Sequence, residues 1–376
     1  GVLGIGEFTW SSGLSNWFVM ALPYYVFAAV YAAFLAGRVR LSPGLTIPDH
    51  LEAAYGKRAA VFGAFLVFVL SAPADELLMV GSLLSHLSGL PLPATMAASA
   101  AATCALLWRG GLRSDVWANR LQIVLMFGGF LLILPAATGV LPLRELPLAL
   151  PSSHLELTGG LPPLRLIGWW LIAVWTLVDP SFHQRCAAAE SPGTARLGIL
   201  VSIGFWAAFD LMTTTAGLYA RALLPDLKHP LLAFPLLADR LLGPAARGFF
   251  YAALASSITA ALQGGALQSA VSLGKDGLGR WAGVPEPRLE NWARLALPVA
   301  LGLSWLLAWL LPSVVGLWYS IGSAVIPGLL LPLLGVYFPR LRADKSWALA
   351  ASAAACTVSA GWLLLSARGA PPWRLE

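Results

Sequence analysis

Charge is what this chain of 376 residues has least of: 11% of its residues are Asp, Glu, Lys or Arg, against 58% hydrophobic. With a mean hydropathy of +0.74 and 16 Trp, it has too little polar surface to form a globule in water. Cysteine is scarce as well. Cys104, Cys186 and Cys356 are scattered without disulfide or metal-ligand spacing, which excludes a disulfide scaffold or a zinc module and leaves them as small buried hydrophobes. No Asp-rich pair, His/Glu metal spacing or Ser/His/Asp arrangement occurs, so nothing points to an enzyme. The net charge of +6 sits in short loops between apolar runs, a pattern that reports membrane orientation and not a nucleic-acid partner.

What the sequence has in abundance is apolar runs of spanning length. A helix needs about 20 mostly apolar residues to cross the hydrocarbon. Such runs are read at Trp17 to Gly37, Ala59 to Gly89, Leu92 to Trp108, Val116 to Val140, Leu164 to Phe182, Leu197 to Ala222, Gly248 to Leu273, Trp292 to Leu311, Ser313 to Tyr337 and Trp347 to Ser366. They are long and unalternating, so they are helices and not barrel strands. The reading is an all-α polytopic protein, residues 1–376 forming one transmembrane domain of the cell (inner) membrane, with the lipid bilayer as its solvent. Alternating the loops puts sixteen of the 24 basic residues on one side, Arg38, Arg40, Lys57, Arg58, Lys275 and Arg280 among them. That side is expected to be cytoplasmic.

The chain opens Gly1-Val-Leu-Gly-Ile-Gly-Glu7, with no initiator Met, basic flank or signal-peptide pattern. Its glycines read as the middle of an interrupted helix, so the sequence is expected to begin inside a membrane segment. The alternative use of Gly1, Gly4 and Gly6 is close helix packing.

Four segments in order resemble the loops of the sodium/solute symporter family, to which the proline and sodium/galactose symporters belong. Thr46-Ile-Pro-Asp-His-Leu-Glu-Ala-Ala-Tyr-Gly-Lys-Arg58 is similar to that family's first cytoplasmic loop. Gly110-Gly-Leu-Arg-Ser-Asp-Val-Trp-Ala-Asn-Arg-Leu-Gln122 resembles a later loop. Asp179-Pro-Ser-Phe-His-Gln-Arg-Cys-Ala-Ala-Ala-Glu-Ser191 resembles the cytoplasmic end of its broken, substrate-contacting helix. Asp276 among glycines matches an acidic position after its cation-site helix. The resemblance implies two inverted five-helix repeats, with solute and ion near the midplane where the first helix of each repeat is interrupted. On this mapping the first core helix is incomplete, Gly1 to Gly13 being its outer half. Trp175 to Pro180 is the counterpart in the second repeat, where Pro180 removes a donor and disfavours helix at Asp179.

The same mapping implies cation ligands on Gly248 to Leu273: a carbonyl at Ser257 and side chains at Ala260 and Ala261, which carry no oxygen. Ser256, Thr259 and Gln263 share one face of that helix, offset by about 100 degrees. They serve either as replacement cation oxygens, with sodium at Ser257 and Thr259 after a one-residue register change, or as hydroxyls bonded to backbone or to a neighbouring helix. Asn119 stands where the family commonly has Asp, keeping an oxygen and losing the charge. Against that loss, Asp75, Glu76 and Asp210 sit in apolar sequence, where a carboxylate costs about 2.5–3.5 kcal/mol at a helix centre on insertion scales. They are expected to face the interior, as a proton pathway or as hydrogen-bonded structural groups. Ser71, Asp75, Ser82 and His86 are read on one helical face.

Glu7, Phe8 and Trp10 from the first broken helix and Trp175, Thr176 and Asp179 from the second are expected to line the solute cavity, the aromatic faces covering a sugar, an apolar group or a cation. For Trp10 and Trp175 the alternative is anchoring at the lipid interface. The function implied is sodium- or proton-coupled symport of a small polar solute, with no cofactor beyond the coupling ion. The competing reading is a symporter-like membrane sensor or partner-binding module without coupled transport.

Overall fold

The computed structural model describes the backbone of residues 1–110 and 115–367 and the side chains of residues 1–108 and 122–365. All regular structure among the described residues is helical. Eight helical stretches there are long and apolar enough to cross a membrane, and Leu92–Trp108 is a shorter apolar helix.

The first half runs α1 (Val2–Ser12), α2 (Leu22–Phe34), α3 (Ala36–Leu41), α4 (Ile47–Tyr55), α5 (Lys57–Leu70), α6 (Ala74–Ser88), α7 (Leu92–Gly110) and α8 (Asp115–Val140). After the one-turn α9 (Ser152–Leu155), the second half runs α10 (Pro163–Ile172), α11 (Trp175–Val178), α12 (Pro180–Ala187), α13 (Pro192–Leu223), α14 (Ala233–Leu241), α15 (Pro244–Ala270), α16 (Glu286–Leu310) and α17 (Val314–Tyr337), with α18 (Lys345–Ala367) following. The order repeats. Each half has a short loop helix, α4 or α14, between its second and third spans. The two loop helices contact different surroundings, α4 meeting α5 and the end of α17 while α14 meets α1, α8 and the end of α13.

Local chemistry explains the irregular places. Asp179 is extended (φ −67, ψ 120), its side chain accepts from the Phe182 amide at 3.0 Å, and Pro180 takes the first helical position of α12. It is a helix N-cap placed inside a span. A turn at Ala173 and Val174 divides the same span again, so Leu164 to Phe182 is not one helix but parts of three. α4 starts with a capping box, Thr46 and Asp49 satisfying each other's backbone amides. α1 lies along α13, where Gly217 has no side chain against Thr9: a Cβ there would stand 2.6 Å from the Thr9 Cβ.

Two expectations are corrected. The run Ala59 to Gly89 is interrupted between Leu70 and Ala74, so Ser71 does not share a helical face with Asp75, Ser82 and His86. Pro73, which has no N–H and restricts Ala72 before it, causes the break. The helix read as ending at Leu273 continues as a wider, π-type coil over Val271–Gly279. Glycine permits this: a Cβ on Gly274 would stand 2.2 Å from the Trp292 carbonyl oxygen.

Apolar packing forms two large buried clusters. One joins α6, α8, α13, α14, α15 and α16 around Phe130, Phe234 and Phe250. The other joins α2, α3, α4, α5 and α17 around Tyr31, Ile47 and Val67. Many large apolar side chains remain outward-facing, including Phe34, Phe65, Leu131 and Trp309, as a lipid-facing surface requires.

Candidate functional site

The two interrupted helices send their expected solute contacts in several directions. Glu7 reaches the N-terminus of α17, where Ser313 donates its hydroxyl to Oε1 at 3.0 Å; its Oε2 is buried with no partner. A carboxylate there meets the positive end of the helix dipole. Phe8 is 8% exposed and tilts against Trp169 at 5.2 Å. Trp10 turns to the rim, donating its indole N–H to the Leu224 carbonyl at 2.9 Å beneath the Arg221 guanidinium, 4.5 Å from the ring.

On the second interruption Trp175 lies against α17 at Gly322, Thr176 is buried, and the Asp179 carboxylate is committed to capping α12. His183, fully buried, donates from Nδ1 to the Asp179 carbonyl at 2.9 Å, leaving Nε2 without a partner. Phe8 and Trp175 thus meet different neighbours; the residue whose carboxylate keeps a free buried oxygen near the first interruption is Glu7.

On α15, Ser257 faces α8. Gln122 donates its amide to the Ser257 carbonyl at 3.0 Å and to its hydroxyl at 3.3 Å, and that hydroxyl points to Met126 sulfur at 3.3 Å. A hard cation needs several oxygens, and here a neutral N–H donor holds the two that Ser257 offers. Ser256, Thr259 and Gln263 are half-buried. Asn119 lies outside the described side chains.

The remaining carboxyls in apolar sequence face protein. Asp210 of α13 accepts the Tyr25 hydroxyl of α2. Asp75 accepts the indole N–H of Trp318 at 2.8 Å, with Glu76 beside it. The pairing residues Tyr25, Gln122, Ser313 and Trp318 were not among the expected site. Only Gln122, a lone amide at the head of an apolar run, carries a signal in the sequence.

At the end of the molecule that holds α4, Arg280 joins three carboxylates: Asp49 at 2.5 Å, Glu52, and Asp276 at 3.3 Å. Burial alone would raise the Asp49 carboxyl, but the Arg280 guanidinium and the amides of Leu45 and Thr46 outweigh it and hold the group below its ordinary value. Burial lowers His50 against the opposing Gly44 carbonyl; that carbonyl fixes Nε2 as the protonated nitrogen, so Tyr337 donates to Nδ1 at 2.5 Å.

The model of the sodium:solute symporter family matches residues 1–354. No curated protein matches significantly in sequence. Among solved structures, a Na+-coupled sialic acid symporter in a substrate-bound outward-open state superposes with a TM-score of 0.70 at 15% identity, covering 99% of this chain and 87% of that one. The inward-facing conformation of Mhp1 gives 0.58 at 14%, covering 96% and 87%. A single-site mutant of the Eremococcus coleocola manganese transporter gives 0.53 at 13%, covering 98% and 85%. At these identities the likeness concerns the fold, two inverted five-helix repeats in one bundle.

Proposed function

Because this chain belongs to the sodium:solute symporter family, we propose that it is a secondary active transporter in which a cation moving down its gradient carries a small polar solute across the cell membrane by alternating access. It is a multi-pass integral membrane protein, and its chemistry is transport, not catalysis.

The observation that carries this reading is the interruption at Asp179. A capped helix start inside an apolar span exposes backbone polar groups at a depth where lipid cannot satisfy them, which is tolerable where they line a cavity or hold a ligand. Glu7, with a free buried oxygen, supports a polar solute contact from the first interruption, with Trp175, Thr176 and Asp179 contributing from the second. The family match over residues 1–354 favours transport over the sensor reading.

Two chemistries stand for the cation: oxygens on α15 at Ser257 and Thr259, which requires the Gln122 amide to leave the two Ser257 oxygens it holds, or a proton on the carboxyls in apolar sequence. The test is uptake of a panel of labelled sugars, amino acids and amines into proteoliposomes under a sodium gradient and, separately, a proton gradient. Gradient-driven accumulation of any one solute supports the proposal. Transport under neither gradient overturns it.

A further inference from the structure

In the π-type coil Val271–Gly279, two fully buried side chains keep an oxygen without a hydrogen bond: the Ser272 hydroxyl and Oδ2 of Asp276. They stand four residues apart and so share one face of the coil. A serine inside a helix ordinarily donates back to the carbonyl four residues earlier, as Ser304 does to Ala300 at 2.8 Å. Ser272 does not. A carboxylate oxygen buried without a partner is costlier still, and π-type turns inside helices are frequent at functional positions.

The walls keep both groups where they are. Ser269, just before them in the chain, donates to the Phe68 carbonyl of α5 at 3.0 Å. A Cβ on Gly277 would stand 3.8 Å from the Ala64 Cβ of α5, and one on Gly274 would stand 2.2 Å from the Trp292 carbonyl oxygen of α16. The coil is thus held between α5 and α16, and α4 adds Asp49 and Glu52.

The charge at this junction does not balance. Asp49, Glu52 and Asp276 share the one guanidinium of Arg280, which reaches Asp276 only at Oδ1, at 3.3 Å, the longest of its three contacts. Lys275 forms no ion pair among the described residues. The Thr46 hydroxyl, which accepts from the Asp49 amide at 3.3 Å, faces the Asp276 carboxyl, yet no hydrogen bond reaches Oδ2.

We infer that Asp276 Oδ2 and the Ser272 hydroxyl are ligands of a cation site at the end of the molecule that holds α4, taking a monovalent ion of sodium's size and hardness. An anionic oxygen beside a neutral hydroxyl suits a hard cation, whereas Ca2+ asks for about six to eight oxygens, and Arg280 already engages Asp49 and Glu52. One added positive charge offsets part of the excess of three carboxylates over one guanidinium, and weakens the repulsion between the coil and α4. The site is separate from the position on α15 considered for coupling: Ser257 precedes Ser272 by 15 residues, about 22 Å of helix. It stands whether or not the chain transports a solute.

Hydrogen exchange of the full chain in nanodiscs, in sodium chloride and in N-methyl-D-glucamine chloride of equal ionic strength, tests the site without a known solute. The expected result is that sodium slows exchange across residues 46–55 and 271–279 in the wild type. In S272A the sodium concentration for half-protection rises about tenfold, the loss of about 1.4 kcal/mol of affinity. In D276N neither segment responds to sodium. Identical exchange in the two salts overturns the site, as does sodium protection that S272A leaves at the wild-type midpoint, or protection confined to residues 256–263, which assigns the ion to α15. A D276N chain protected without sodium to the level of the sodium-loaded wild type also overturns it, because the carboxyl then needs only neutralisation. Should D276N fail to fold, the S272A midpoint decides.

Discussion

Gly265 lies against the carbonyl of Ser71: a Cβ built on it would stand 3.2 Å from that oxygen and 3.0 Å from the Pro73 Cβ. Both neighbours belong to the interruption between α5 and α6, and neither is the end of a flexible side chain. Adding a methyl therefore pushes on backbone. The adjacent Gly264 has nothing within 4 Å of such a Cβ, and replacing a helix-interior glycine by alanine ordinarily gains about 0.5–1 kcal/mol. Gly264→Ala is expected to raise the midpoint of thermal unfolding in detergent, and Gly265→Ala to lower it. Equal shifts for the two variants would show that α15 does not press on the break.

Tyr25 and Asp210 form the second testable pair. The hydroxyl and the carboxylate are 2.5 Å apart and join α2 to α13 across a sequence separation of 185 residues. A hydrogen bond to a charged group contributes about 1.5–3 kcal/mol, and stripping the donor leaves the acceptor desolvated. Tyr25→Phe is expected to destabilise by about that amount, and Asp210→Asn to absorb much of the loss in the double variant. A double-mutant cycle read by thermal unfolding checks it; additive effects would mean that the two groups do not depend on each other.

The spans were legible because each is an apolar run of a length that only a membrane requires. Ser313 to Tyr337 was read within a residue of α17, Val314–Tyr337. The break in the third span was also written in the sequence, at Pro73, but a hydropathy average runs smoothly across it, and one proline inside an apolar run reads equally as a kink. The isolation of Asp210 in apolar sequence told that it must face protein, yet nothing near it in the chain pointed to Tyr25. The same holds for Gln122 and Ser257, 135 residues apart: spacing within one helix fixes which residues share a face, whereas the donor opposite that face comes from the tertiary packing of two helices.

Asp239 ties three elements together at the end of the molecule that holds α14. It accepts from Tyr251 of α15 at 2.5 Å, from His86 of α6 at 2.8 Å and from Arg247 at 3.4 Å. Asp239→Ala strands His86 and Arg247 and leaves the Tyr251 hydroxyl only the Pro235 carbonyl at 3.3 Å, so α14 loses its polar tie to α6 and the stronger part of that to α15, a loss of about 1–3 kcal/mol. Hydrogen exchange is expected to rise across residues 230–241 and to remain unchanged in α17, which is remote from the junction. Exchange in 230–241 indistinguishable from wild type would show that the apolar contacts of Phe234 and Leu237 alone hold the loop helix.

Arg280 gives the prediction with a pH dependence. It carries one positive charge among three carboxylates, of which the Asp276 side chain is fully buried and that of Glu52 is 42% exposed. Removing one partner of a fully buried pair typically costs 3–5 kcal/mol; exposure of Glu52 screens part of this, so Arg280→Gln is expected to cost about 2 kcal/mol. The Asp49 carboxyl is held below its ordinary value, which means that the folded state favours its ionised form. The stability it contributes is therefore complete above the unfolded value of 3.8 and disappears as pH falls through the lower folded value. In Arg280→Gln the opposing effect of burial is no longer outweighed, the folded value is no longer depressed, and the acid-side loss of stability due to Asp49 is absent. Thermal unfolding of both proteins measured from neutral to acid pH reads the difference directly. Parallel profiles would mean that the amides of Leu45 and Thr46, and not the guanidinium, hold Asp49 ionised and keep α4 against the end of α15.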